Sequence, residues 1–212
     1  MALIGAHKIH RHPHDSEKQS REEFEWVKIH RENKKVDEFR WLYEGQVFQR
    51  KSHGFGVLSK VFRTGEIEKI YAGGWVEGKK QGFGAFWYSN GDFYEGEFCR
   101  GRRHGFGRLW GSDGSFYQGQ WRDERCDGPG MLIQADGNRY EGNFSKGKKE
   151  GLGRFYHLRR GLLQEGLWSS DVCKRSTMRD ISRDLAPEPT IYPIPGLVIE
   201  CHIVTHILFI KL

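Results

Sequence analysis

A repeat of 23 residues restricts the fold of this sequence more than any other feature. Tyr71, Tyr94, Tyr117 and Tyr140 stand 23 residues apart, and each opens the same phrase, as in YEGEFCRGRRHGFG. Counted from each tyrosine, glycine recurs at positions two, eleven and thirteen, and an aromatic residue stands at position four. A fixed short period of this kind is typical of repeat architectures, in which each unit packs on its neighbours.

The repeat glycines form three columns along the chain. They are Gly73, Gly96, Gly119 and Gly142 at position two, Gly82, Gly105, Gly128 and Gly151 at position eleven, and Gly84, Gly107, Gly130 and Gly153 at position thirteen. Glycine inside a strand costs roughly 0.5–1 kcal/mol relative to alanine, so a repeated glycine needs a structural reason. We expect these glycines to make room for an aromatic ring from the adjacent hairpin.

Two weaker copies flank the four strict ones. Upstream, YEGQVFQRKSHGFG has Val47 at the aromatic position, and its Tyr43 lies 28 residues before Tyr71, which indicates about five inserted residues in SKVFRTGEIEKI. Downstream, QEGLWSSDVCKRSTM keeps Trp168 but has Gln164 in place of the tyrosine and lacks the later glycines. Loss of turn glycines in the last copy is typical of a terminal cap.

Each unit has the pattern of a β-hairpin. The stretch 94–98 alternates large residues with small or charged ones, RGRRHG resembles a glycine-bracketed turn of five or six residues, and 106–110 forms a second strand. The following turns carry Asn90-Gly91, Asp113-Gly114 and Asp136-Gly137, which are strong hairpin signals. The sequence therefore predicts an all-β fold, an elongated single-layer antiparallel meander of tandem hairpins.

The segment YEGEFCRGRRHGFGRLWGSDGS resembles the MORN repeat, whose pattern is Tyr-x-Gly-x-Trp, then Gly, then His-Gly-x-Gly. The resemblance extends over residues 43–195. It implies a single-sheet array that acts as a scaffold or dimerisation module in junctional membranes, cilia, flagella or sperm structures. Binding of membrane lipid is also often proposed for the family. The resemblance further implies that a small protein of repeats and a short tail is not an enzyme.

Catalytic, cofactor and metal motifs are not apparent in the sequence. The 42 residues before the array and about 35 after it are too few for a catalytic domain, and no P-loop, kinase motif set or G-x-S-x-G elbow occurs. We therefore predict no enzymatic activity and no cofactor. The cluster His7, His10, His12 and His14 lacks cysteine ligands, so we interpret it as a flexible tail rather than a metal site.

Charge and cysteine usage indicate the compartment and the class of partner. The net charge is +6 with no concentrated basic segment, which excludes a typical nucleic-acid binder. The four cysteines lie 27 or more residues apart, and the N-terminus lacks a sustained apolar run. We expect a reducing, cytoplasmic setting, and the resemblance implies association with the cytoskeleton, a cilium or flagellum, or the sperm acrosome.

Aromatic residues at position four are the first candidate binding surface. A single sheet has two faces, and no second layer covers them, so an aromatic face predicts a protein partner or self-association. The alternative is that these rings stack on one another as the core. The residues are Trp75, Phe98, Trp121, Phe144 and Trp168.

Paired cations in the first turn of the hairpin are the second candidate surface. The period of 23 residues places them along one edge, where they could bind anionic phospholipid or an acidic protein surface. The alternative is that they are solvated turn residues that discourage aggregation. The residues are Lys79, Lys80, Arg102, Arg103, Lys148 and Lys149.

The flanks of the array define the predicted organisation, with a non-repeat segment at 1–42, the array at 43–180 and a tail at 181–212. Residues 16–40 have spaced apolar positions and a capping box at Ser20 and Glu23, which predict an amphipathic helix, and the alternative is a flexible, poorly packed lead-in. Four prolines make 186–196 an extended, polyproline-like strap. The apolar run 197–212 is interpreted as an edge strand or a sequence-specific extension.

Overall fold

The computed structural model describes residues 25–31, 39–181 and 194. Thirteen strands of the described residues form one antiparallel sheet, in which the order of the strands follows their order in the chain. With neighbouring strands about 4.7–4.9 Å apart, the sheet extends roughly 57 Å across its strands. This open meander confirms the predicted single-layer all-β fold.

The strands have similar lengths, and one 3₁₀ turn, Leu158–Arg160, precedes the last hairpin. The strands are β1 Glu25–Arg31, β2 Phe39–Phe48, β3 Lys51–Phe62, β4 Ile67–Val76, β5 Lys79–Trp87, β6 Phe93–Cys99, β7 Arg102–Trp110, β8 Phe116–Arg122, β9 Arg125–Ile133, β10 Arg139–Ser145, β11 Lys148–His157, β12 Leu162–Ser169 and β13 Val172–Asp180.

Each sequence copy is one hairpin of the sheet. The strict copies form β4–β5, β6–β7, β8–β9 and β10–β11, and the weaker copies form β2–β3 and β12–β13. The residues inserted before Tyr71 lengthen β3 and β4, whose connection closes where the Phe62 amide donates to the Glu66 carbonyl at 2.9 Å. The two weaker copies therefore belong to the same sheet as the strict ones.

The first turn of each hairpin is shorter than the sequence indicates. In β6–β7, Cys99 pairs with Arg102, so only Arg100 and Gly101 form the turn, and their φ angles are +51° and +90°. Two residues with positive φ are typical of the type I′ hairpin turn. The predicted turn of five or six residues is wrong because the residues after Gly101 already pair in β7.

The second turns have the predicted Asn-Gly or Asp-Gly geometry. Gly91, Gly114 and Gly137 have φ between +86° and +89°, and the amide of each donates to a carbonyl three residues earlier. The aspartate before Gly114 supports the turn, because the Asp113 carboxylate accepts a bond from the Ser115 amide at 2.9 Å. Hydrogen bonds from the Ser115 hydroxyl and from the Ser115 amide lower the pKa of Asp113.

The N-terminal segment differs from the prediction. Residues 25–31 form a strand paired along β2, so the amphipathic helix predicted over 16–40 is wrong for these residues. Val27 and Ile29 pack on the core, while Trp26 and Lys28 are exposed, so the apolar period here is two. Pairing with β1 satisfies backbone groups of β2 that a helix would leave open.

Several other predicted segments lie outside the described residues. They are residues 16–24 and 32–38 of the predicted helix, whose residues 39–40 belong to strand β2, the histidine cluster at 7–14, most of the proline-rich strap at 186–196 and the apolar run 197–212.

The sheet has two faces because side chains alternate along each strand. We call the first the tyrosine face, because it carries the repeat tyrosines and the position-four residues in one continuous buried cluster. The opposite face buries a shorter row next to the second turns, which includes Phe93, Trp110, Phe116 and Ile133. Both faces therefore carry apolar core in a protein with one layer.

Candidate binding surfaces

The glycines at positions two and thirteen form one row across the sheet. In β6–β7, Gly96 pairs with Gly107, and Gly107 pairs in turn with Gly119 of the next hairpin. A Cβ atom on Gly107 would lie 2.3 Å from the Tyr94 hydroxyl, and one on Gly96 would lie 2.5 Å from the Gly107 Cα. Tyr94 therefore lies directly over the glycine pair, and its hydroxyl donates to the Glu97 carbonyl at 3.0 Å.

The ring over each glycine pair belongs to the same hairpin as the glycines. The sequence reasoning assigned it to the adjacent hairpin, and that assignment is wrong, although the reason of space is confirmed. The same arrangement occurs in each full copy, where a Cβ on the thirteenth-position glycine would lie within 2.6 Å of the tyrosine hydroxyl. The glycine–tyrosine contact therefore sets the cross-strand register of every hairpin.

Glycines at position eleven have a different function, which is conformational. Gly82, Gly105, Gly128 and Gly151 have φ between +60° and +111°, a region that side chains with a Cβ rarely adopt. They lie where the hairpin register shifts, for example between the Gly96–Gly107 and Phe98–Arg103 pairs. Each of these glycines therefore allows a β-bulge, which shifts the register between the two-residue turn and the paired glycines at positions two and thirteen.

The position-four aromatics form a zipper with the tyrosines. Tyr94 contacts Phe98 at 5.2 Å and Trp121 at 5.4 Å between ring centroids, both edge to face. The pattern continues through Tyr117, Phe144, Tyr140 and Trp168 with centroid distances of 5.2–5.4 Å. Edge-to-face pairs at these distances are favourable for aromatic quadrupoles.

These five aromatics, predicted as an exposed binding surface, lie in the core. Trp75, Phe98, Trp121, Phe144 and Trp168 are 3–8% exposed. The expectation that they face an uncovered surface is therefore wrong, and the alternative, that ring stacking forms the core, is confirmed. Their binding of a partner stays a prediction, and it requires access that the folded array does not provide.

The paired cations separate into an inner set and an outer set. The inner cations stand at position nine and lie over aromatic rings, with Lys80 Nζ 4.0 Å from the Phe86 centroid and Arg103 Cζ 4.3 Å from Trp121. Lys149 Nζ likewise lies 5.0 Å from the Phe155 centroid. Burial lowers the pKa of Lys80. The inner cations cover the tyrosine face as lids through cation–π contacts.

The outer cations Lys79, Arg102 and Lys148 are exposed along the first-turn edge. Acidic side chains lie among them, because Arg102 is 3.5 Å from Asp123 and Arg103 is 2.7 Å from Glu124. Exposed ion pairs of this kind contribute little to stability. The edge therefore offers three of the six predicted cations to an anionic ligand, and lipid binding stays a prediction.

An exposed apolar stripe on the opposite face escaped the sequence reasoning. It consists of the position-twelve residues of the four strict copies and one residue of β12, and we call it the apolar stripe. Its members are Phe83 at 59% exposure, Phe106 at 46%, Pro129, Leu152 at 73% and Leu167 at 47%. A signal was present, because the residue between the paired glycines at positions eleven and thirteen is apolar in every full copy.

Polar side chains separate the members of the stripe. Glu97 pairs across the strands with Phe83, and Gln120 pairs with Phe106. Glu97 also accepts a bond from the Phe106 amide at 3.0 Å, which fixes its carboxylate beside the stripe. The stripe is therefore amphipathic, with apolar contacts and hydrogen-bonding groups in alternation.

Within 25–31, 39–181 and 194, no three His, Cys, Asp or Glu side chains are grouped to hold a metal ion. In the same part of the chain, no helix is long and apolar enough to cross a membrane.

An open meander of hairpins with a shared glycine row defines a β-hairpin repeat protein. A sequence profile of the MORN repeat matches residues 71–93, 94–116, 117–139 and 140–157. MORN repeat-containing protein 3 of Xenopus laevis is 59% identical over 155 residues, which are 73% of this chain and 65% of that relative. The chain belongs to the MORN-repeat family.

Mammalian proteins of the same name match over a shorter stretch. The relative from Bos taurus is 55% identical over 51 residues, 24% of this chain and 21% of its own length. The relative from Homo sapiens is 53% identical over 47 residues, 22% of this chain and 20% of its own length. The matched part thus spans less than two thirds of the Xenopus relative and about a fifth of the mammalian ones.

Proposed function

We propose that the chain is a non-enzymatic scaffold whose array binds a protein partner along the apolar stripe. The stripe carries this proposal, because three large apolar side chains at position twelve, Phe83, Phe106 and Leu152, are 46–73% exposed, and Leu167 beside Leu152 is 47% exposed. Exposed apolar side chains with polar neighbours are typical of protein interfaces. The partner replaces the second layer that the sheet lacks on this side.

The spacing of the stripe favours an extended partner segment. Successive members from Phe83 to Leu152 lie two strands apart, which is about 9.5 Å. A polyproline-II segment places a residue on the same side every three residues, or about 9.3 Å, whereas seven residues of α-helix advance about 10.5 Å. Over four hairpins the helix would drift by roughly 3 Å, so the extended segment keeps the better match.

The cellular setting of this proposal follows from the family. MORN arrays act as scaffolds in cytoskeletal, ciliary, flagellar and sperm structures, and we propose a cytoplasmic scaffold in one of these settings, including the acrosome. Self-association is a second form of the same proposal, in which the stripe of another copy occupies the face.

The test compares two triple variants in affinity purification from ciliated or testis tissue, followed by mass spectrometry. Phe83→Ser, Phe106→Ser and Leu152→Ser together should remove the main partners, because they delete the apolar contacts. Lys79→Glu, Arg102→Glu and Lys148→Glu together should retain them. Retention of every partner by the stripe variant would contradict the proposal, and analytical ultracentrifugation of both variants identifies self-association.

A membrane-surface adaptor is the second candidate, because Lys79, Arg102 and Lys148 are exposed along one edge of the sheet. Each basic residue near an anionic surface contributes about 1 kcal/mol, so three give a weak, salt-sensitive attachment. Co-sedimentation with phosphatidylserine vesicles should then be lost in the variant with Lys79→Glu, Arg102→Glu and Lys148→Glu. The variant with Phe83→Ser, Phe106→Ser and Leu152→Ser should still co-sediment. Equal sedimentation of both variants would reject this edge as a lipid site.

A further inference from the structure

A cavity of about 350 Å³ opens on the tyrosine face at the first hairpin. Its walls are apolar and come from Ile29, Trp41, Tyr43, Leu58 and Trp75. Pockets of at least about 300 Å³ with apolar walls and a few polar groups are typical ligand sites. This cavity is separate from the apolar stripe, which lies on the other face of the sheet.

The cavity lies where the first copy lacks the inner cation that three of the four strict copies have at position nine; in the remaining strict copy, Cys126 stands there and packs on the core. Position nine is Lys80 in the second copy and Arg103 in the third, and both lie over rings of the core. In the first copy position nine is Ser52, which lines the cavity. Tyr43, Leu58 and Trp75 stand where Tyr71, Phe86 and Phe98 stand beneath Lys80. A short serine leaves these side chains without their lid.

Two further residues deepen the cavity. Trp41 stands two residues before the tyrosine, where the strict copies have Lys69, Asp92, Ser115 and Asn138. Ile29 of β1 pairs with Tyr43, and β1 has no counterpart within the repeat. The first hairpin therefore gains apolar walls at the point where it loses its cation.

The charges at the rim decide which ligand the cavity fits. Arg50 of the first turn and Lys51 at the start of β3 line it and are exposed, and no carboxylate is among the described residues that line it. A partner's Lys or Arg would fit the empty lid position over Tyr43 and Trp75, but these two cations would repel it. Carboxylates next to an apolar group would instead be attracted.

We propose that this cavity binds an acidic segment of a partner protein by taking up one bulky apolar side chain over Tyr43 and Trp75. The neighbouring carboxylates of the segment pair with Arg50 and Lys51. This proposal rests on the proposed function only in that the partner is a protein, since the cavity and the apolar stripe lie on opposite faces of the sheet. An array with both sites holds one segment on each face.

The test measures fluorescence anisotropy of labelled peptides with the full chain. Glu-Glu-Trp-Glu-Glu should bind about tenfold more tightly than Lys-Lys-Trp-Lys-Lys, which has the wrong charge, and than Glu-Glu-Ala-Glu-Glu, which lacks the anchor. Ser52→Lys should weaken binding about tenfold by restoring the lid, whereas Ser52→Ala leaves the cavity open and should retain binding. The inner lysines of the other hairpins show that the fold accepts lysine here, and thermal melting checks this.

Charge variants separate the rim from general electrostatics. Arg50→Glu with Lys51→Glu should abolish binding of the acidic peptide. The matched control, Arg100→Glu with Lys146→Glu, makes the same change in exposed turn residues of two other hairpins and should leave binding unchanged. Glu77 and Glu124 already occupy such turns with positive φ, so glutamate is tolerated there.

Three outcomes would overturn the proposal. In the first, the Ser52→Lys variant binds the acidic peptide as tightly as the wild type does. In the second, the alanine or the lysine peptide binds as tightly as Glu-Glu-Trp-Glu-Glu. In the third, the chain binds phosphatidylserine vesicles but no peptide, and Ser52→Lys abolishes the vesicle binding. The apolar-stripe variant should bind the acidic peptide as the wild type does. Loss of tissue partners by that variant, together with failure of the peptide assay, would leave the proposed function in place and reject the cavity.

Discussion

The two faces of the sheet bury their apolar side chains in different ways. Beyond the cavity at the first hairpin, the tyrosine face is closed as far as β12, because tyrosines, position-four aromatics and inner cations cover one another across consecutive hairpins. The opposite face buries only the row that contains Phe93 and Trp110 and leaves the apolar stripe exposed next to the first turns. Both faces carry aromatic side chains at the period of the repeat.

The difference between the faces lies in what covers the rings. On the tyrosine face, a lysine or arginine stem spans the rings and places its charge at the surface, which covers apolar area without a second layer. On the opposite face, Glu97 and Gln120 stand between the apolar side chains without lying over them. A single-layer protein thus closes one face by itself and leaves part of the other available for binding.

Alkaline pH should have the largest effect, because the repeat tyrosines lie on the tyrosine face and their ionisation should destabilise that face. Burial raises the pKa of Tyr43 and Tyr140 to about 12, and that of Tyr94 higher. A raised folded-state pKa gives stability that is complete below the unfolded value of about 10 and is lost as pH rises through the folded value. We expect the melting temperature to fall steeply above about pH 10.

Tyrosinate absorbance measured with circular dichroism checks this expectation. The two signals should change in one transition, because the core tyrosines ionise only when the sheet opens. Ionisation of all tyrosines near pH 10 with an unchanged β-sheet spectrum would show that the tyrosine face is open to solvent.

Gly107→Ala should have the next largest effect. The added Cβ would lie 2.3 Å from the Tyr94 hydroxyl and 2.6 Å from its Cζ, and Gly107 has no positive φ, so the whole cost is steric. Overpacking of this kind costs roughly 3 kcal/mol in the free energy of unfolding, measured with urea.

A double-mutant cycle identifies the clash as the cause. Tyr94→Ala removes the ring, so Gly107→Ala should cost much less in that background, with a coupling of roughly 1–3 kcal/mol. Additive costs would mean that Gly107 acts through the backbone and not through the ring.

The register of the hairpins was predictable because the repeat itself encodes it. Glycines at positions two and thirteen must face one another if Tyr94 is to lie over both, and hairpin turns at fixed spacing give the strand order. The first-turn length was not predictable in the same way. The glycine at position eleven could indicate a turn or a bulge, and only the pairing of Phe98 with Arg103 distinguishes the two.

The candidate surfaces were harder to predict than the fold. Lys79 and Lys80 are adjacent in sequence, and side chains alternate along a strand, so one lysine faces solvent and the other lies over Phe86. Because the bulge shifts this alternation, the sequence pattern did not indicate which lysine lies over the ring. Residues 25–31 fit a helix or a strand by composition, and the open side of β2 decides the outcome. Long-range pairing therefore determined what local pattern could not.

Gly82→Ala should have a smaller effect than Gly107→Ala, because its cost is conformational. Gly82 has a φ of +70°, and a Cβ there would meet nothing within 4 Å. A left-handed conformation costs roughly 1–2 kcal/mol for a residue with a Cβ. Gly82→Asn should cost less than Gly82→Ala, since asparagine tolerates this region, and the reverse order in urea unfolding would contradict the assignment.

Phe106→Ala should have the smallest effect on folding, because the side chain lies in the exposed stripe. We expect a change within about 0.5 kcal/mol, as for other exposed positions. Phe93→Ala is the matched control on the same face, and it should cost roughly 3–5 kcal/mol because Phe93 is fully buried. Similar costs for the two variants would mean that the stripe is part of the core. A near-zero cost at Phe106 leaves partner binding as the property that this side chain serves.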